Sequence, residues 1–317
     1  MKKKIICRVL TGPTASGKSD FAMRLAEKNN WEILCMDSMQ IYRRMDIGTA
    51  KPTPDDQKRV KHHLLDLCEP DEPFSVSSYT EEAERTIKSL SDSGREILFA
   101  GGTGLYLEAL TKPMGMGFIP ANETLREILH QLADQPDGRR LLDERLRKCD
   151  PDTADKLPLN DIRRRIRAIE VSETTGIPFS RQPAVQKESH FFWRIVCIDP
   201  PREILYDRIN RRVNRMIEAG LPAEVESLLD EGVPESAQSM QAIGYKEMIP
   251  FLRGIYPLET AAELIRKGTR HYAKRQMTFF RRLDGLHYID PFDEDAYTRI
   301  ENILRGIEIS DDEHKQQ

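Results

Sequence analysis

The sequence has no apolar run that approaches the length of a membrane-spanning helix, which needs about 20 residues. Its five cysteines are scattered and none forms a C-x-x-C pair, so neither a disulfide framework nor a cysteine-based zinc site is expected. Residues 1–6 are basic and then apolar, like a secretory signal, but the apolar part is too short and continues into a glycine-rich loop. These features predict a cytoplasmic protein without a membrane partner, with reduced thiols at Cys7, Cys35, Cys68, Cys149 and Cys197.

The composition is that of an ordinary globular protein of 317 residues with a formal net charge of −4. Short β-type runs alternate with helical patterns, which predicts an α/β fold with a mostly parallel sheet and helices on both faces. The β-type runs disappear between residues 113 and 186, where we expect an inserted all-helical domain. The sheet domain would then comprise residues 1–112 and 187–310, and residues 311–317 would form a polar tail. The predicted strands are residues 5–10, 32–36, 64–67, 96–100 and 194–198.

Residues 12–19 read GPTASGKS and match the phosphate-binding pattern G-x-x-x-x-G-K-[ST] at every fixed position. An apolar strand pattern precedes the loop, and a helical pattern follows it over residues 19–28. The loop amides and the helix N-terminus would direct donors and partial positive charge to one site. Lys18 would add a full charge, and the Ser19 hydroxyl would bind Mg2+. We therefore predict a P-loop NTPase-like fold that binds a di- or triphosphate through Gly12, Pro13, Thr14, Ala15, Ser16, Gly17, Lys18 and Ser19.

Polar residues also follow other predicted strands. Asp37 comes directly after the strand at residues 32–36, at the edge of the sheet where α/β proteins bind ligands. It could be a Mg2+ ligand, a general base, or simply the N-cap of a turn. Thr103 lies in a second glycine-rich turn, GGTG, where glycines let the backbone approach a ligand closely. Asp199 ends the last predicted strand, but two prolines follow it, which favours a turn.

Basic residues recur at helical spacing in three parts of the chain. Such charge runs are usually solvated helix faces. The chain is nevertheless net acidic, so its positive charge is segregated, which suits a polyanion such as RNA or a diphosphate. Interleaved aromatic residues could stack on unpaired bases, although core packing explains most such residues. The stripes comprise Arg163, Arg164, Arg165 and Arg167; Arg208, Arg211, Arg212 and Arg215; and Lys267, Arg270, Lys274 and Arg281.

Six further blocks follow the phosphate loop in order: DSMQIYRRMDIGTAKP (37–52), HHLLD (62–66), GGTGLY (101–106), ND with RAIEV (160–161, 167–171), IGYKE (243–247) and AKRQ (273–276). Together they closely resemble the tRNA dimethylallyltransferase family over about residues 8–290. The D-S-x-Q-x-Y and D-I-G-T-A-K-P blocks are the most specific, because a general phosphate-loop protein has no reason to contain them. Ala100 replaces the commoner valine before GGT, and the sequence lacks the Cys/His zinc finger of some eukaryotic relatives, which favours the bacterial form.

The resemblance implies transfer of the dimethylallyl group of dimethylallyl diphosphate to N6 of the adenosine immediately 3′ of the anticodon in tRNA. Lys18 and Mg2+ on Ser19 would stabilise the departing diphosphate, and Asp37 would accept an N6 proton. Thr103 matches the family's crevice residue and, with Asp37 and Lys18, is expected to be catalytic. Arg208 and Arg212 are expected near diphosphate or RNA. The expected tRNA contacts are Asp37, Ser38, Met39, Gln40, Thr103, Arg126, Arg163, Arg164, Arg165, Arg167, Arg270 and Lys274.

The helical insertion at residues 113–186 would grip the anticodon stem-loop, mainly through phosphates. The target adenine would have to swing out of the stacked loop to reach a buried site. We expect a monomer, because no long apolar seam is visible in the sequence.

Three other functions share parts of the pattern. A P-loop kinase of small metabolites has the same loop, but it does not explain the D-I-G-T-A-K-P block or the segregated arginines. Adenylate isopentenyltransferases prenylate free nucleotides, and the large helical insertion argues against such a substrate. A GTPase-like switch module would carry a base-specificity motif such as N-K-x-D, which the sequence does not contain.

Overall fold

The computed structural model describes residues 4–112, 119, 121–182 and 190–307. The chain divides into two compact units, Met1–Thr111 with Ser189–Gln317, and Lys112–Glu188. The turn-rich segment at residues 113–117, the predicted boundary at residue 186 and the predicted tail at residues 311–317 lie outside the described residues. No helix in the described part of the chain is long and apolar enough to cross a membrane.

The described residues of the first unit form a parallel sheet of six strands in the order β3-β2-β4-β1-β5-β6. The predicted α/β class with a parallel sheet is therefore confirmed. The sheet places the carboxyl ends of its strands along one edge, where α/β proteins bind ligands. The strands are β1 (Ile5–Thr11), β2 (Trp31–Cys35), β3 (His62–His63), β4 (Glu96–Ala100), β5 (Phe191–Ile198) and β6 (Leu286–Ile289).

Two strand predictions differ from the structure. The predicted strand at residues 64–67 is wrong, because Leu64 and Asp66 have φ angles of 62° and 52°, which end the extended backbone after β3. β6 was not predicted, because it has four residues and its two central side chains are exposed. A short edge strand of this kind lacks the apolar run that identifies buried strands.

In chain order, the α-helices of the described residues are α1 (Lys18–Asn29), α2 (Pro54–Arg59), α3 (Val76–Asp92), α4 (Gly104–Thr111), α5 (Glu123–Ala133), α6 (Gly138–Cys149), α7 (Pro151–Lys156), α8 (Ile162–Thr175), α9 (Arg202–Glu218), α10 (Leu221–Asp230), α11 (Tyr245–Leu252), α12 (Leu258–Phe280) and α13 (Ala296–Arg305). Helices cover both faces of the sheet. Alternate residues of a strand are therefore buried on opposite sides. In β1, Val9 clusters with Tyr79 of α3 and Phe280 of α12. Leu10 clusters on the other side with Leu25 of α1 and Ile300 of α13.

A third apolar cluster joins α9, α10, α11 and α12 to the segment that follows β2. Ile41 and Met45 of that segment are fully buried against Val213, Leu221 and Tyr245. This packing holds the residues after β2 beside α9 and α12, next to the phosphate loop.

The second unit contains α5–α8 and a 3-10 turn at Phe179–Arg181. Leu129, Leu142 and Ile169, on three different helices, are completely buried in its own apolar core. Asp150 caps α7 by accepting from the amide of Thr153 at 3.0 Å. No β-strand is present among the described residues of this unit.

Arg165 belongs to the core of the second unit, and its predicted contact with tRNA is wrong. Its side chain is 1% exposed. The guanidinium donates to Asp143 Oδ1 at 2.6 Å and to the carbonyl oxygens of Pro158 at 3.0 Å and Ala154 at 3.2 Å, and also to that of Leu157. These partners take four of its five N–H donors, and the burial of the side chain keeps the fifth from RNA.

We predict that Arg165→Met lowers the free energy of unfolding by about 3–5 kcal/mol, because it leaves a carboxylate and buried carbonyl oxygens without their partner. Arg163→Met, on an exposed position of the same helix, is the matched control and should change this free energy by less than about 0.5 kcal/mol. Urea unfolding followed by far-UV circular dichroism measures both. Equal effects of the two substitutions would contradict the structural assignment of Arg165.

Candidate active site

The phosphate loop connects the end of β1 to the start of α1. Gly12 has a φ angle of 147°, and a Cβ at this position would lie 2.6 Å from the carbonyl oxygen of Ile198. Gly17, with a φ angle of 92°, is the N-cap of α1 and makes no side-chain cap. The positive end of the α1 dipole is thereby open to an anionic ligand.

Two partly buried cations face this loop. Lys18 donates from Nζ to the carbonyl oxygen of Pro13 at 3.2 Å. Burial, with repulsion from Arg212 as the next contribution, lowers the pKa of Lys18 to about 8. Burial also lowers the pKa of Arg212. Cations that are desolvated and close together mark a place where an anion would be stabilised.

Arg208 and Arg212 come from the same face of α9 but have different surroundings. Arg208 donates from Nη1 to the carbonyl oxygen of Ser16 at 3.1 Å, and its guanidinium lies 4.9 Å from the centre of the Phe292 ring. Arg208 therefore supports the loop from behind. Arg212 lines the cavity described below and donates to the carbonyl oxygen of Thr49 at 3.3 Å.

Gln276 of α12 ties the phosphate loop to the turn that follows β4. Its Oε1 accepts from the amide of Thr14 at 2.9 Å, and its Nε2 donates to the carbonyl oxygen of Gly102 at 2.7 Å. A Cβ at Gly102 would lie 2.4 Å from this Nε2, so the close approach requires glycine. The Gln276 side chain is buried and was not predicted as a site residue. The feature of the sequence that could have identified Gln276 is the AKRQ block, of which it is the last residue.

Asp37 and Thr103 meet where β2 and β4 end. Asp37 Oδ1 accepts from the amide of Met39 at 2.9 Å, which forms a turn around the carboxylate. Thr103 Oγ1 accepts from the amide of Ser38 at 3.0 Å, and the Thr103 amide donates to the carbonyl oxygen of Met36 at 3.2 Å. The GGTG turn thus fixes the backbone on both sides of Asp37.

The D-I-G-T-A-K-P block forms a folded loop that contributes to the wall of the cavity described below. Lys51 is 4% exposed and lies 2.6 Å from both Asp46 and Asp66. Gln40 Nε2 donates to the carbonyl oxygens of Thr49 at 3.1 Å and Ala50 at 3.0 Å. The ion pair between Lys51 and Asp66 joins this block to the HHLLD block.

A cavity of about 340 Å³ lies between these elements within the first unit. Its polar part includes Lys18, Ser19, Asp37 and Arg212, and its volume suits a small ligand whose charged end contacts the loop. The apolar part could cover a hydrocarbon group. The apolar lining residues include Met39, Val213, Met216, Ala242, Ile243 and Ile265.

The IPP transferase family model matches residues 40–283 of this chain. This protein belongs to the IPP transferase family. It is 44% identical over 292 residues to tRNA dimethylallyltransferase 1 of Trichlorobacter lovleyi, covering 91% of this chain and 94% of that protein. It is 42% identical over 303 residues to tRNA dimethylallyltransferase of Acetivibrio thermocellus, covering 94% of this chain and 95% of that protein.

Solved structures of the family share the architecture. The full-length tRNA isopentenylpyrophosphate transferase of Bacillus halodurans superposes with a TM-score of 0.69 at 38% identity, covering 96% of each chain. A eukaryotic dimethylallyltransferase, captured in crystallographic snapshots while acting on tRNA, superposes with a TM-score of 0.80 at 26% identity. That match covers 97% of this chain and 81% of the eukaryotic one. The predicted family and fold are therefore confirmed.

Of the residues predicted to contact tRNA, those after β2 lie at the cavity, since Asp37, Ser38, Met39 and Gln40 all line it. Thr103 is not among the described lining residues and acts through the Ser38 amide. Asp199 follows β5 directly. Its amide donates to the carbonyl oxygen of Ile289 at 2.9 Å, and its carboxylate lies 3.7 Å from Arg281.

Two predicted tRNA contacts in the second unit share one buried carboxylate. Glu170 is fully buried and lies 2.9 Å from Arg126 and 2.7 Å from Arg167, and it also accepts from the amide of Asn122. Burial opposes ionisation, but Arg167 and the Asn122 amide hold the pKa of Glu170 below its usual value. Arg163 and Arg164 are exposed on the same helix.

In the first unit, the Arg270 side chain connects α12 to α9. It donates to Asn210 at 3.0 Å and to Glu263 at 2.7 Å. Lys274 is exposed. Several residues that line the cavity were not predicted as site residues. Lys246, Tyr272 and Arg275 are among them, and the IGYKE and AKRQ blocks contain two of these three.

We predict that the protein takes up a proton from the solution, at Lys18, when it binds dimethylallyl diphosphate above pH 8. The free protein has Lys18 largely neutral there, because its pKa is about 8, and the bound anion favours the ammonium form. Affinity should therefore fall as pH rises from 8 to 10. Titration calorimetry at pH 9 in two buffers of different ionisation enthalpy measures the uptake, which Lys18→Met should abolish. The same uptake in this variant would show that another group binds the proton.

Proposed function

We propose that this protein transfers the dimethylallyl group of dimethylallyl diphosphate to N6 of the adenosine immediately 3′ of the anticodon in tRNA and releases diphosphate. One observation carries the proposal: in an IPP transferase chain, the phosphate loop and the carboxylate of Asp37 line the same cavity. A leaving group and a nucleophile can meet there.

The departing diphosphate would be stabilised by the loop and its cations. Lys18 and Arg212 supply full charges, and the start of α1 supplies a partial one. Ser16 Oγ is buried inside the loop and has no hydrogen-bond partner among the described residues, so a phosphate oxygen would satisfy it. As negative charge on the leaving oxygens is neutralised, the allylic carbon gains cation character and accepts a weak nucleophile.

The donor set beside the loop fits Mg2+. The Ser19 hydroxyl and the Asp37 carboxylate both line the cavity, and Mg2+ prefers a few protein oxygens together with substrate phosphates. The described residues contain no cluster of three or more histidine, cysteine or acidic side chains, so an all-protein cage is not part of this site. When bound through Ser19, Mg2+ would neutralise charge on the diphosphate.

Asp37 would orient the adenine N6 amine and accept one of its protons. Its Oδ1 is held by the Met39 amide, and Thr103 fixes the neighbouring backbone through Ser38. This preorganisation keeps the carboxylate in one position before the base arrives. The adenine N6 lone pair is drawn into the ring, so hydrogen bonding to a carboxylate would help to expose it to the allylic carbon.

We assign recognition of the anticodon stem-loop to the helical unit Lys112–Glu188. Arg163 and Arg164 are exposed there and suit contacts with phosphates. Specific RNA recognition usually targets single-stranded loops, from which a base can be swung into a pocket. The protein would work in the cytoplasm as a monomer.

The test is transfer of label from radiolabelled dimethylallyl diphosphate with Mg2+ present. Unmodified tRNA with consecutive adenosines in the anticodon loop is compared with free AMP and ATP. Label on tRNA alone, located at N6 by nucleoside analysis, supports the proposal. Label on free nucleotide would reassign the substrate, and an absence of label with ATP consumed on small metabolites would favour a kinase.

In this assay, Asp37→Asn should lower kcat by about 100-fold or more, because the amide keeps the hydrogen bond to Met39 but cannot act as a base. Its affinity for tRNA, measured by filter binding, should change less than about twofold. A variant that loses tRNA binding but keeps the rate of the bound complex would reject Asp37 as the base.

The double variant Arg163→Gln and Arg164→Gln should weaken tRNA binding and lower the slope of log affinity against log salt by about 1–2. Arg140→Gln is the matched control in the same unit, since Arg140 is an exposed arginine that is not among the predicted tRNA contacts. An unchanged salt slope in the double variant would make Arg163 and Arg164 ordinary solvated side chains.

A further inference from the structure

We propose that Glu224 is a positioning residue for the transfer reaction. Its carboxylate fixes the turn at residues 46–51, which forms one wall of the cavity. The inference rests on the proposed function, and it concerns a residue that does not itself line the cavity formed by the described residues.

The Glu224 carboxylate receives four hydrogen bonds. Its Oε2 accepts from the amides of Asp46 at 2.9 Å and Ile47 at 2.7 Å. Its Oε1 accepts from the amide of Gly48 at 3.0 Å and from the hydroxyl of Tyr245 at 2.6 Å. Glu224 stands in the first turn of α10, so one side chain joins this helix, the turn and α11. Charge-assisted bonds of this kind are stronger than those between neutral groups.

The conformation of the turn needs such a fixed anchor. A Cβ at Gly48 would lie 2.4 Å from the Tyr245 ring, so the backbone passes directly against the aromatic face. Ala50 has a φ angle of 48°, which is unfavourable for a residue with a side chain. Three amides directed at one carboxylate compensate for this strain and hold the turn against Tyr245.

Backbone carbonyl oxygens of the turn accept hydrogen bonds from two side chains at the cavity, Gln40 and Arg212. The Thr49 carbonyl oxygen accepts from Gln40 Nε2 at 3.1 Å and from Arg212 Nη2 at 3.3 Å. The Ala50 carbonyl oxygen accepts a second bond from Gln40 at 3.0 Å. Glu224 therefore fixes the positions of the Gln40 side chain and the Arg212 guanidinium through the turn. Displacement of such groups by about 1 Å can cost up to 100-fold in rate.

Glu224→Gln tests the inference, because glutamine keeps the size of the side chain but its NH2 group cannot accept from the backbone amides. We expect kcat/KM for dimethylallyl diphosphate to fall about 10- to 100-fold per folded molecule. Glu301→Gln is the matched control. Glu301 is a buried carboxylate of the first unit, whereas Glu224 is half-buried, and it accepts hydrogen bonds from the side chains of Lys28 and Asn29. The control should lose thermal stability but keep its kinetic constants within about twofold.

A double-mutant cycle with Gln40→Ala separates positioning from general destabilisation. If Glu224 acts through the turn, Glu224→Gln should have a much smaller effect on kcat/KM in the Gln40→Ala background than in the wild type. Additive effects, or unchanged kinetics of folded Glu224→Gln, would overturn the inference. If Glu224→Gln does not fold, Tyr245→Phe, which removes one of the four donors, replaces it in the same cycle.

The two proposals fail in different ways. Wild-type protein that transfers no label to tRNA refutes the proposed function. Wild-type protein that transfers label while Glu224→Gln keeps the wild-type kinetics refutes the positioning by Glu224 and leaves the proposed function intact.

Discussion

The buried amide of Gln276 connects the parts of the chain on which the site depends. It accepts from Thr14 in the phosphate loop and donates to Gly102 after β4, and Thr14 is 262 residues away in sequence. The turn after β4 then holds the residues around Asp37 through the Thr103 hydroxyl and amide. Because both partners of Gln276 are backbone groups, leaving either unpaired would cost about 1–3 kcal/mol. α12 thus sets the spacing between the diphosphate site and the candidate base.

Much of this arrangement could be predicted from sequence, because the phosphate loop and the strand ends are local patterns. The phosphate loop follows β1 and ends in Lys18 at the start of α1, and Asp37 follows β2. Parallel strands bring their carboxyl ends to one edge. The contacts of Gln276 and Glu224 could not be predicted in this way. Both side chains act on backbone more than 170 residues away, so their partners become apparent only in the folded chain.

The four clustered arginines of α8 show how one pattern can hide two environments. Ile166 and Ile169 of this helix are buried, and Arg165 is adjacent to that apolar face, whereas Arg163 points away from it. Helical periodicity therefore contained the signal that separates them. The prediction that all four arginines contact RNA considered their charge and did not consider the position of each residue on the helix. Arginine can occupy such a core position because its fork of donors matches several carbonyl oxygens at once.

The charge distribution explains how a net acidic chain can bind anions. Desolvation lowers the pKa of both Lys18 and Arg212, and repulsion from Arg212 lowers that of Lys18 further. Exposed cations would be hydrated and would have to lose that water on binding. The partly buried pair has already lost much of it during folding, because apolar clusters such as that around Val213 and Tyr245 hold α9 beside the loop. A diphosphate would therefore meet fixed, weakly screened charges and relieve a repulsion of Lys18 by Arg212 that is present in the free protein, so part of the folding energy would be used to preorganise the proposed anion site.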